Sequence, residues 1–299
     1  MKYIFCFFLL LWLAAGCRQV PSATTSNVPS DDIPFPEYES LTGKDRERAD
    51  SLLSKALDHE ALYSLMGDMK PISSIGFAHS YPLGKDSTQK DGQQKIVEVG
   101  IDSIKTAMEE LESWNRVLAA LSFDDYQFLL VPFKQVYKGK RNLQILLCRT
   151  DLIDSLLVAQ SPFFAQWGFV SGTDPAVLLT AIEFEEKHDR YRAYGYLFGY
   201  PQHAVDFFVE ASLEQEATGE FVKRSFFSIP VHMRETGYFT YALPEDSTPL
   251  PLDSAKYYQA SEILEEYRQL RPSFIDEGGH LKAVELYRNW WRRKTVGAK

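Results

Sequence analysis

An apolar run near the start of the chain, Tyr3–Leu13, is the feature that most constrains what the chain can fold into. It has about half of the roughly 20 residues that a helix needs to span a bilayer. Lys2 precedes the run, and the small residues 14–16 follow it. A basic start, a short apolar core and small residues behind it are typical of a cleaved export signal. We therefore expect the folded part of the protein to begin after this run.

The small residues lead directly into a cysteine. The stretch Leu13-Ala14-Ala15-Gly16-Cys17 resembles the lipobox of bacterial lipoprotein signal peptides, with Ala14 where Leu is commoner. The resemblance covers residues 1–17 only. It implies transfer of diacylglyceryl to the Cys17 thiol, cleavage before Cys17, and acylation of the new amino terminus with palmitate-type chains. It also implies a lipid-anchored location in the bacterial cell envelope, facing the periplasm. The alternative is an ordinary secretory signal with an incidental cysteine.

Cysteine usage limits how the exported part can be stabilised. The three cysteines are Cys6, Cys17 and Cys148. Cys6 is removed with the signal and Cys17 carries the anchor, so Cys148 has no partner for an intramolecular disulfide. Stability must then come from a packed core, for which 45% hydrophobic residues are sufficient. Cys148 lies in an apolar run, which predicts a buried, inert thiol rather than a catalytic one.

The chain is acidic, with a formal net charge of −9. This charge repels phosphate backbones and argues against nucleic acid as a partner. One basic cluster lies at the C-terminus, beside Trp290 and Trp291. It consists of Arg288, Arg292, Arg293, Lys294 and Lys299. The cluster could contact anionic headgroups or a partner, or it could be the solvated end of a helix, where the helix dipole favours cations.

Composition predicts three parts of the chain. Residues 1–16 are the lipoprotein signal peptide. Residues 17–45 are the lipidated cysteine and a flexible tether, because residues 18–43 are rich in Ser, Thr, Pro and acidic side chains. Residues 46–299 are one globular domain, since apolar residues at helical spacing begin there and no later linker is evident.

Periodicity within that domain predicts an α+β fold, mostly helical, with a small antiparallel sheet. Helices are expected over residues 46–66, 101–121, 151–160, 175–182, 202–213, 254–270 and 279–293. Strands are expected over residues 126–137, 142–149, 221–229 and 238–243. Pro132 predicts an edge position or a bulge for the first of these strands. The Pro-bounded segment 68–82 reads as a loop or short strand, and residues 85–94 as polar and exposed.

No strong catalytic motif is present. The chain has no Gly-x-Ser-x-Gly elbow, no P-loop, no His-Glu-x-x-His and no Gly-rich dinucleotide turn. Glu-x-x-His occurs twice, at Glu185–His188 and Glu277–His280, and paired copies on helices can build dinuclear metal sites. Gly278 and Gly279 disfavour a helix in the second copy. We therefore predict neither a metal nor a cofactor.

Two segments hold candidate catalytic residues. In residues 183–203, His188 or His203 could act as an acid or base, with Arg190 holding an anionic group. The alternative there is core packing of the Tyr and Phe side chains, with Arg190 pairing to Glu186. In the Pro-bounded segment, Lys70 or His79 could activate a nearby serine, Ser73 or Ser74. The alternative is a structured connection.

These observations predict a membrane-anchored envelope lipoprotein whose soluble acidic domain binds a protein partner or a small ligand. The alternative is an envelope hydrolase or transferase that uses a pocket around residues 183–203. Geometry distinguishes the two. Convergence of His188, Arg190, Tyr200 and His203, or of Lys70 and His79, in one open cleft would favour the enzyme.

Overall fold

The structure, a computed structural model, describes residues 33–82, 101–137 and 140–297. The predicted signal peptide, Cys17, the first part of the predicted tether, the segment 85–94 predicted to be polar and exposed, and Lys299 lie outside the described residues. The helices, in chain order, are α1 (Gly43–Asp58), α2 (Leu62–Leu65), α3 (Ile101–Leu121), α4 (Thr150–Ala159), α5 (Ser161–Phe164), α6 (Pro175–Phe184), α7 (Lys187–Leu197), α8 (Gln202–Thr218), α9 (Pro251–Leu270) and α10 (Ala283–Gly297). Short 3-10 turns cover Pro36–Ser40, Ala165–Trp167 and Arg271–Phe274.

The strands form two small antiparallel sheets. They are β1 (Ile72–Pro82), β2 (Tyr126–Tyr137), β3 (Lys140–Arg149), β4 (Arg224–Val231) and β5 (Arg234–Pro244). The first sheet has the order β1-β3-β2, and the second is the β4–β5 hairpin. The predicted fold class, a mostly helical α+β domain with a small antiparallel sheet, is confirmed. Within the described residues, no helix is long and apolar enough to cross a membrane.

β2 lies at an edge of its sheet, as Pro132 predicts. Its pairing with β3 also shifts register between Pro132 and Val136, because proline has no amide hydrogen to donate to the ladder. On the other side of β3, the segment predicted as a loop or short strand is an 11-residue strand, β1. Its alternation is hard to detect in the sequence because the pairing shifts register twice, around Gly76 and Phe77.

β3 separates two hydrophobic clusters. Ile145 and Leu147 pack into the larger one, with α1, α3, α9 and α10, whereas Leu146 and Cys148 pack into the second, with α4 to α8. The alternation follows from the period of two along a strand. Cys148 is fully buried, as predicted, and its burial raises the pKa of the thiol well above its ordinary value. Tyr200 contacts both clusters and a third one on β5.

The folded part begins earlier than composition predicts. Residues 33–41, here called the strap, were assigned to the flexible tether 17–45, and that boundary is wrong because the strap belongs to the core. Phe35, Tyr38 and Leu41 are all buried. The Phe35 ring packs edge-on against Phe123 with centroids 5.0 Å apart, and 5.2 Å from the ring of Tyr287. The free energy gained by burying two aromatic rings outweighs the tendency of a Pro-rich, acidic segment to remain unfolded.

The helix ends show which residues determine where each helix begins. Asp174 caps α6, since its carboxylate accepts the Ala176 amide at 2.7 Å with Pro175 in the first position. Asp151 does not cap α4: it lies inside the first turn of that helix and receives two hydrogen bonds from the Arg149 guanidinium. The last helix begins at Ala283 rather than at residue 279, because Gly278 and Gly279 form a turn.

Candidate functional site

His188 and Arg190 lie on α7 and contact acidic or carbonyl groups of the fold. The Nε2 atom of His188 is 3.4 Å from a Glu216 carboxylate oxygen on α8. The Arg190 guanidinium donates to the Glu183 carbonyl oxygen at 3.3 Å rather than to the side chain of Glu186. The Glu183 carboxylate is buried and accepts hydrogen bonds from the Tyr194 hydroxyl and the amide of residue 134. These groups tie α7 to its neighbours.

His203 lies in the first turn of α8 and contacts a different carboxylate. Its Nε2 atom is 3.1 Å from Asp253, whose side chain has 0% exposure. Asp253 also accepts the Tyr241 hydroxyl at 2.6 Å and the Leu250 amide at 2.7 Å. Burial, followed by the hydrogen bond to Asp253, raises the pKa of Tyr241 above its ordinary value, so its hydroxyl stays protonated and donates. His203 therefore joins α8 to the start of α9.

The aromatic residues around the turn at Gly199 pack into the core. The Tyr200 ring stacks on Phe239 with centroids 6.0 Å apart and is 5.6 Å from the ring of Tyr241. Burial raises the pKa of Tyr200, and the charge of Glu60 adds to the effect. His188, Arg190, Tyr200 and His203 line none of the three clefts described below. The Tyr and Phe side chains of residues 183–203 thus pack as in the alternative considered for this segment, but Arg190 contacts the Glu183 carbonyl instead of pairing with Glu186.

Lys70 belongs to a group of four buried polar residues. This buried lysine cluster consists of Glu60, Ser64, Lys70 and Ser73, none more than 8% exposed. The Lys70 ammonium donates to the Glu60 carboxylate and lies 4.3 Å from the centre of the Phe239 ring. The Ser64 hydroxyl is 2.8 Å from that of Ser73 and donates to the Lys70 carbonyl at 3.0 Å.

The contacts of this cluster do not assemble a Ser–Lys pair. The Lys70 ammonium contacts Glu60, while the Ser73 hydroxyl contacts Ser64 and the Glu60 carbonyl oxygen. Burial lowers the pKa of Lys70, and the Glu60 charge opposes that shift. Ser74 is hydrogen-bonded to Gln144. His79 is paired with Leu143 on β3, and its side chain lies outside the described residues.

An open cleft of about 570 Å³ lies between the strap, α1 and the segment that leads into α10. We call it the strap cleft. Its volume is in the range of ligand sites in proteins. Leu281 and Val284 supply apolar surface. The charged residues that line it are Glu39, Glu47, Asp50, Asp58, Asp276, Glu285, Arg46, Arg271, Lys282 and Arg288.

Most carboxylates of the strap cleft already have a partner. Glu39 pairs with Arg46 at 3.0 Å and with Arg288 at 2.8 Å. Asp58 accepts the Arg271 guanidinium at 2.9 Å and also a tyrosine hydroxyl of α9. Burial alone would raise the pKa of Asp58, but these hydrogen bonds and the Arg271 charge outweigh burial and hold it below its ordinary value.

Glu47 and Asp50 differ from these carboxylates. They are three residues apart on α1 and so share a face, and within the described residues neither forms an ion pair with a basic side chain. Asp50 accepts a hydrogen bond from the Tyr38 hydroxyl of the strap. Burial and that bond raise the pKa of Tyr38 to about 12, so the hydroxyl remains a donor at neutral pH. This face of the cleft presents uncompensated negative charge.

Two other openings are less suited to a ligand. One of about 400 Å³ lies between α1, β1 and α3, and its Arg48 is already paired with Glu110 at 2.7 Å. The other, about 490 Å³, is a shallow depression on the exposed face of α9, lined by Glu262 and Glu265.

The two Glu-x-x-His pairs do not meet. His188 lies beside Glu216, whereas His280 is 83% exposed and lies 3.5 Å from Asp276. Across residues 33–82, 101–137 and 140–297, no group of three or more His, Cys, Asp or Glu side chains could hold a metal ion.

Comparison with known proteins finds no match, since no family model, no curated protein and no solved structure matches the chain. The fold and the cleft define an α+β protein with a charged cleft beside its N-terminal strap. This cleft was not predicted from the sequence. It could have been indicated by two aromatic residues in the segment assigned to a solvated tether, Phe35 and Tyr38.

Proposed function

We propose that this protein is a lipid-anchored envelope protein of bacteria that binds a small, positively charged polar ligand in the strap cleft. The anchor is the Cys17 lipid implied by the resemblance of residues 13–17 to a lipobox. The globular part, which begins at the strap, supplies the binding site. The proposal makes the protein a binder rather than an enzyme.

The observation that carries the binding site is the pair of carboxylates, Glu47 and Asp50, on one wall of the open strap cleft. A ligand amine can approach them from solvent and form charge-assisted hydrogen bonds without displacing an internal cation. Ser51 adds a hydroxyl on the same helix. The arginines of the cleft are held by Glu39 and Asp58, so an anionic ligand would have to compete with those ion pairs.

The placement of the candidate catalytic groups supports a binder over an enzyme. His188, His203 and Lys70 each lie against a different carboxylate of the fold, namely Glu216, Asp253 and Glu60. A general acid or base must reach its substrate directly or through one water molecule. Lys70 is fully buried and cannot do so without a rearrangement of the core.

Calorimetric titration with spermidine, a small polyamine, tests the binding site, with succinate as an anionic probe of similar size. We expect spermidine to bind and succinate not to bind. Asp50→Asn should weaken spermidine binding about tenfold, because one hydrogen bond to a charged group is lost. Glu47→Gln should have a smaller effect, since Glu47 is more exposed.

The matched control is the double variant Glu262→Gln/Glu265→Gln on α9. It removes two charges from the other acidic opening and should leave spermidine affinity unchanged. If all three variants weaken binding equally, the polyamine senses only net charge and the strap cleft is not the site. If titration with spermidine gives no heat of binding, the proposal of a positively charged ligand is rejected.

Cell fractionation tests the anchor independently. The wild-type protein should take up fatty-acid label and sediment with membranes, and Cys17→Ser should abolish both. An unlabelled wild-type protein in the soluble fraction would reject the anchor and leave the cleft proposal intact.

A further inference from the structure

The exposed end of α10 carries three successive basic residues, Arg292, Arg293 and Lys294. Lys294 lies 3.1 Å from Glu266 on α9. Arg292 and Arg293 form no ion pair within the described part of the chain. Because the protein as a whole is acidic, these two free guanidinium groups stand out as a local positive charge.

The strap enters the fold beside this end of α10. The Arg288 guanidinium donates to the Pro34 carbonyl at 3.0 Å and to the Phe35 carbonyl at 2.9 Å, and it pairs with Glu39. Arg292 is four residues further along α10. It therefore lies on the same face, about 5.4 Å along the axis. The buried ring of Phe35 fixes this arrangement. The first described residues thus lie within about one helical turn of Arg292.

The chain between the proposed anchor and the strap is short. Fully extended, the segment from Cys17 to Ile33 spans at most about 55 Å. A lipid at Cys17 would therefore hold the point where the strap begins close to the bilayer. Tethering of this kind raises the local concentration of headgroups around α10.

We propose that Arg292, Arg293 and Lys294 dock on the anionic phospholipid headgroups of the membrane that holds the anchor. This proposal rests on the proposed lipid anchor. Guanidinium groups bind phosphate through paired hydrogen bonds, and a basic side chain near an anionic bilayer strengthens attachment about fivefold. The acidic remainder of the domain is repelled from the same surface, so the end that carries the strap faces the lipid. The strap cleft, lined by Arg288 and the strap itself, then lies near the membrane.

Vesicle co-sedimentation tests the docking without the anchor. The mature chain from residue 17 with Cys17→Ser carries no acyl chain. At low salt we expect it to sediment with phosphatidylglycerol vesicles but not with phosphatidylcholine vesicles. High salt should release it, because the attraction is screened. Arg292→Gln/Arg293→Gln should weaken sedimentation about 25-fold, which is about fivefold for each arginine.

The matched control, Lys187→Gln/Lys223→Gln, removes the same number of charges from α7 and from the segment before β4. It should sediment like the parent chain. Equal loss in both double variants, or failure of the parent chain to sediment with anionic vesicles, would overturn the docking surface. Fatty-acid labelling of Cys17 in the wild type is unaffected by either outcome, so failure of the docking and failure of the anchor are distinguishable.

Discussion

The buried lysine cluster and the strap cleft both contain charged residues, but their charged groups have opposite surroundings. In the cluster, Lys70 and Glu60 face each other inside the core and have almost no contact with solvent. In the cleft, Glu47 and Asp50 face an open space and have no basic partner among the described residues. Only the second arrangement can exchange its contacts for those of a ligand.

This difference in surroundings separates charge that stabilises the fold from charge that can bind a ligand. A buried ion pair costs several kcal/mol of desolvation for each ion, and the two ions tolerate the interior only together. A carboxylate in an open cleft keeps its water and can lose its charge at little cost to the fold. Substitutions in the cluster should therefore change stability, and substitutions in the cleft should change binding.

Glu60→Leu gives the largest expected effect. The substitution leaves the Lys70 ammonium buried without its carboxylate partner, against the faces of Phe239 and Phe198. The free energy of unfolding should fall by about 3–5 kcal/mol. Urea unfolding followed by tryptophan fluorescence measures it.

Two variants sharpen this result. The double variant Lys70→Met/Glu60→Leu should recover most of the loss, because two apolar side chains need no pairing. Glu216→Gln breaks the surface pair with Lys187 and should change the unfolding midpoint very little, because both groups are solvated. If the double variant is as unstable as Glu60→Leu, the hydrogen-bond network of Ser64 and Ser73 rather than the ion pair holds this region.

Phe35→Ala should cost about 3 kcal/mol, because it leaves a cavity between Phe123 and Tyr287. Spermidine binding should weaken as well, since Tyr38 on the same strap forms a wall of the cleft. Ile33→Ala is the control, because Ile33 is 56% exposed and should change stability by less than about 0.5 kcal/mol. An unchanged unfolding midpoint for Phe35→Ala would mean that the strap does not belong to the core.

The part of the fold that local patterns determine could be predicted from the sequence. The apolar stripe of α1 is buried where its spacing places it, at residues 49, 52, 53, 56 and 57. The hairpin of β2 and β3 and the cap at Asp174 are also local signals. These features depend on neighbours within a few residues, so periodicity and capping rules suffice.

The sites could not be predicted, because their contacts are long-range. Lys70 is buried by Phe239, and Arg288 reaches the strap from the opposite end of the chain. Asp50 appears in the sequence as one more residue on the solvated face of α1. That face of α1 becomes a wall of the cleft because the strap packs beside it and the Tyr38 hydroxyl donates to Asp50. The tether boundary failed for a related reason: Phe35 and Tyr38 of the strap are a signal of burial, but nothing within the strap shows which distant residues they pack against.

Asp58→Asn should cost about 2 kcal/mol at neutral pH, because it weakens the hydrogen bonds from Arg271 and Tyr267. The pKa of Asp58 is lower in the folded protein than in the unfolded chain. Its contribution is therefore complete above the unfolded pKa, about 4, and is lost as the pH falls through the folded pKa. The stability difference between wild type and Asp58→Asn should shrink below pH of about 4. Asp246→Asn on an exposed turn should show no such dependence, and a constant difference at all pH values would contradict the role of the Asp58 charge.

The smallest expected effects on stability are those of replacing two histidines, one on α7 and one on α8. His188→Ala removes one contact with Glu216, which is about half exposed, and should change stability by no more than about 0.5 kcal/mol. His203→Ala removes a contact with the fully buried Asp253 and should cost about 1 kcal/mol. The cost stays modest because the Tyr241 hydroxyl and the Leu250 amide still satisfy Asp253. Thermal unfolding of both variants checks whether His203→Ala costs more stability than His188→Ala. Titration with spermidine shows whether either variant changes ligand binding. If His203→Ala is neutral but abolishes ligand binding, His203 faces a ligand, and the site lies at α8 rather than in the strap cleft.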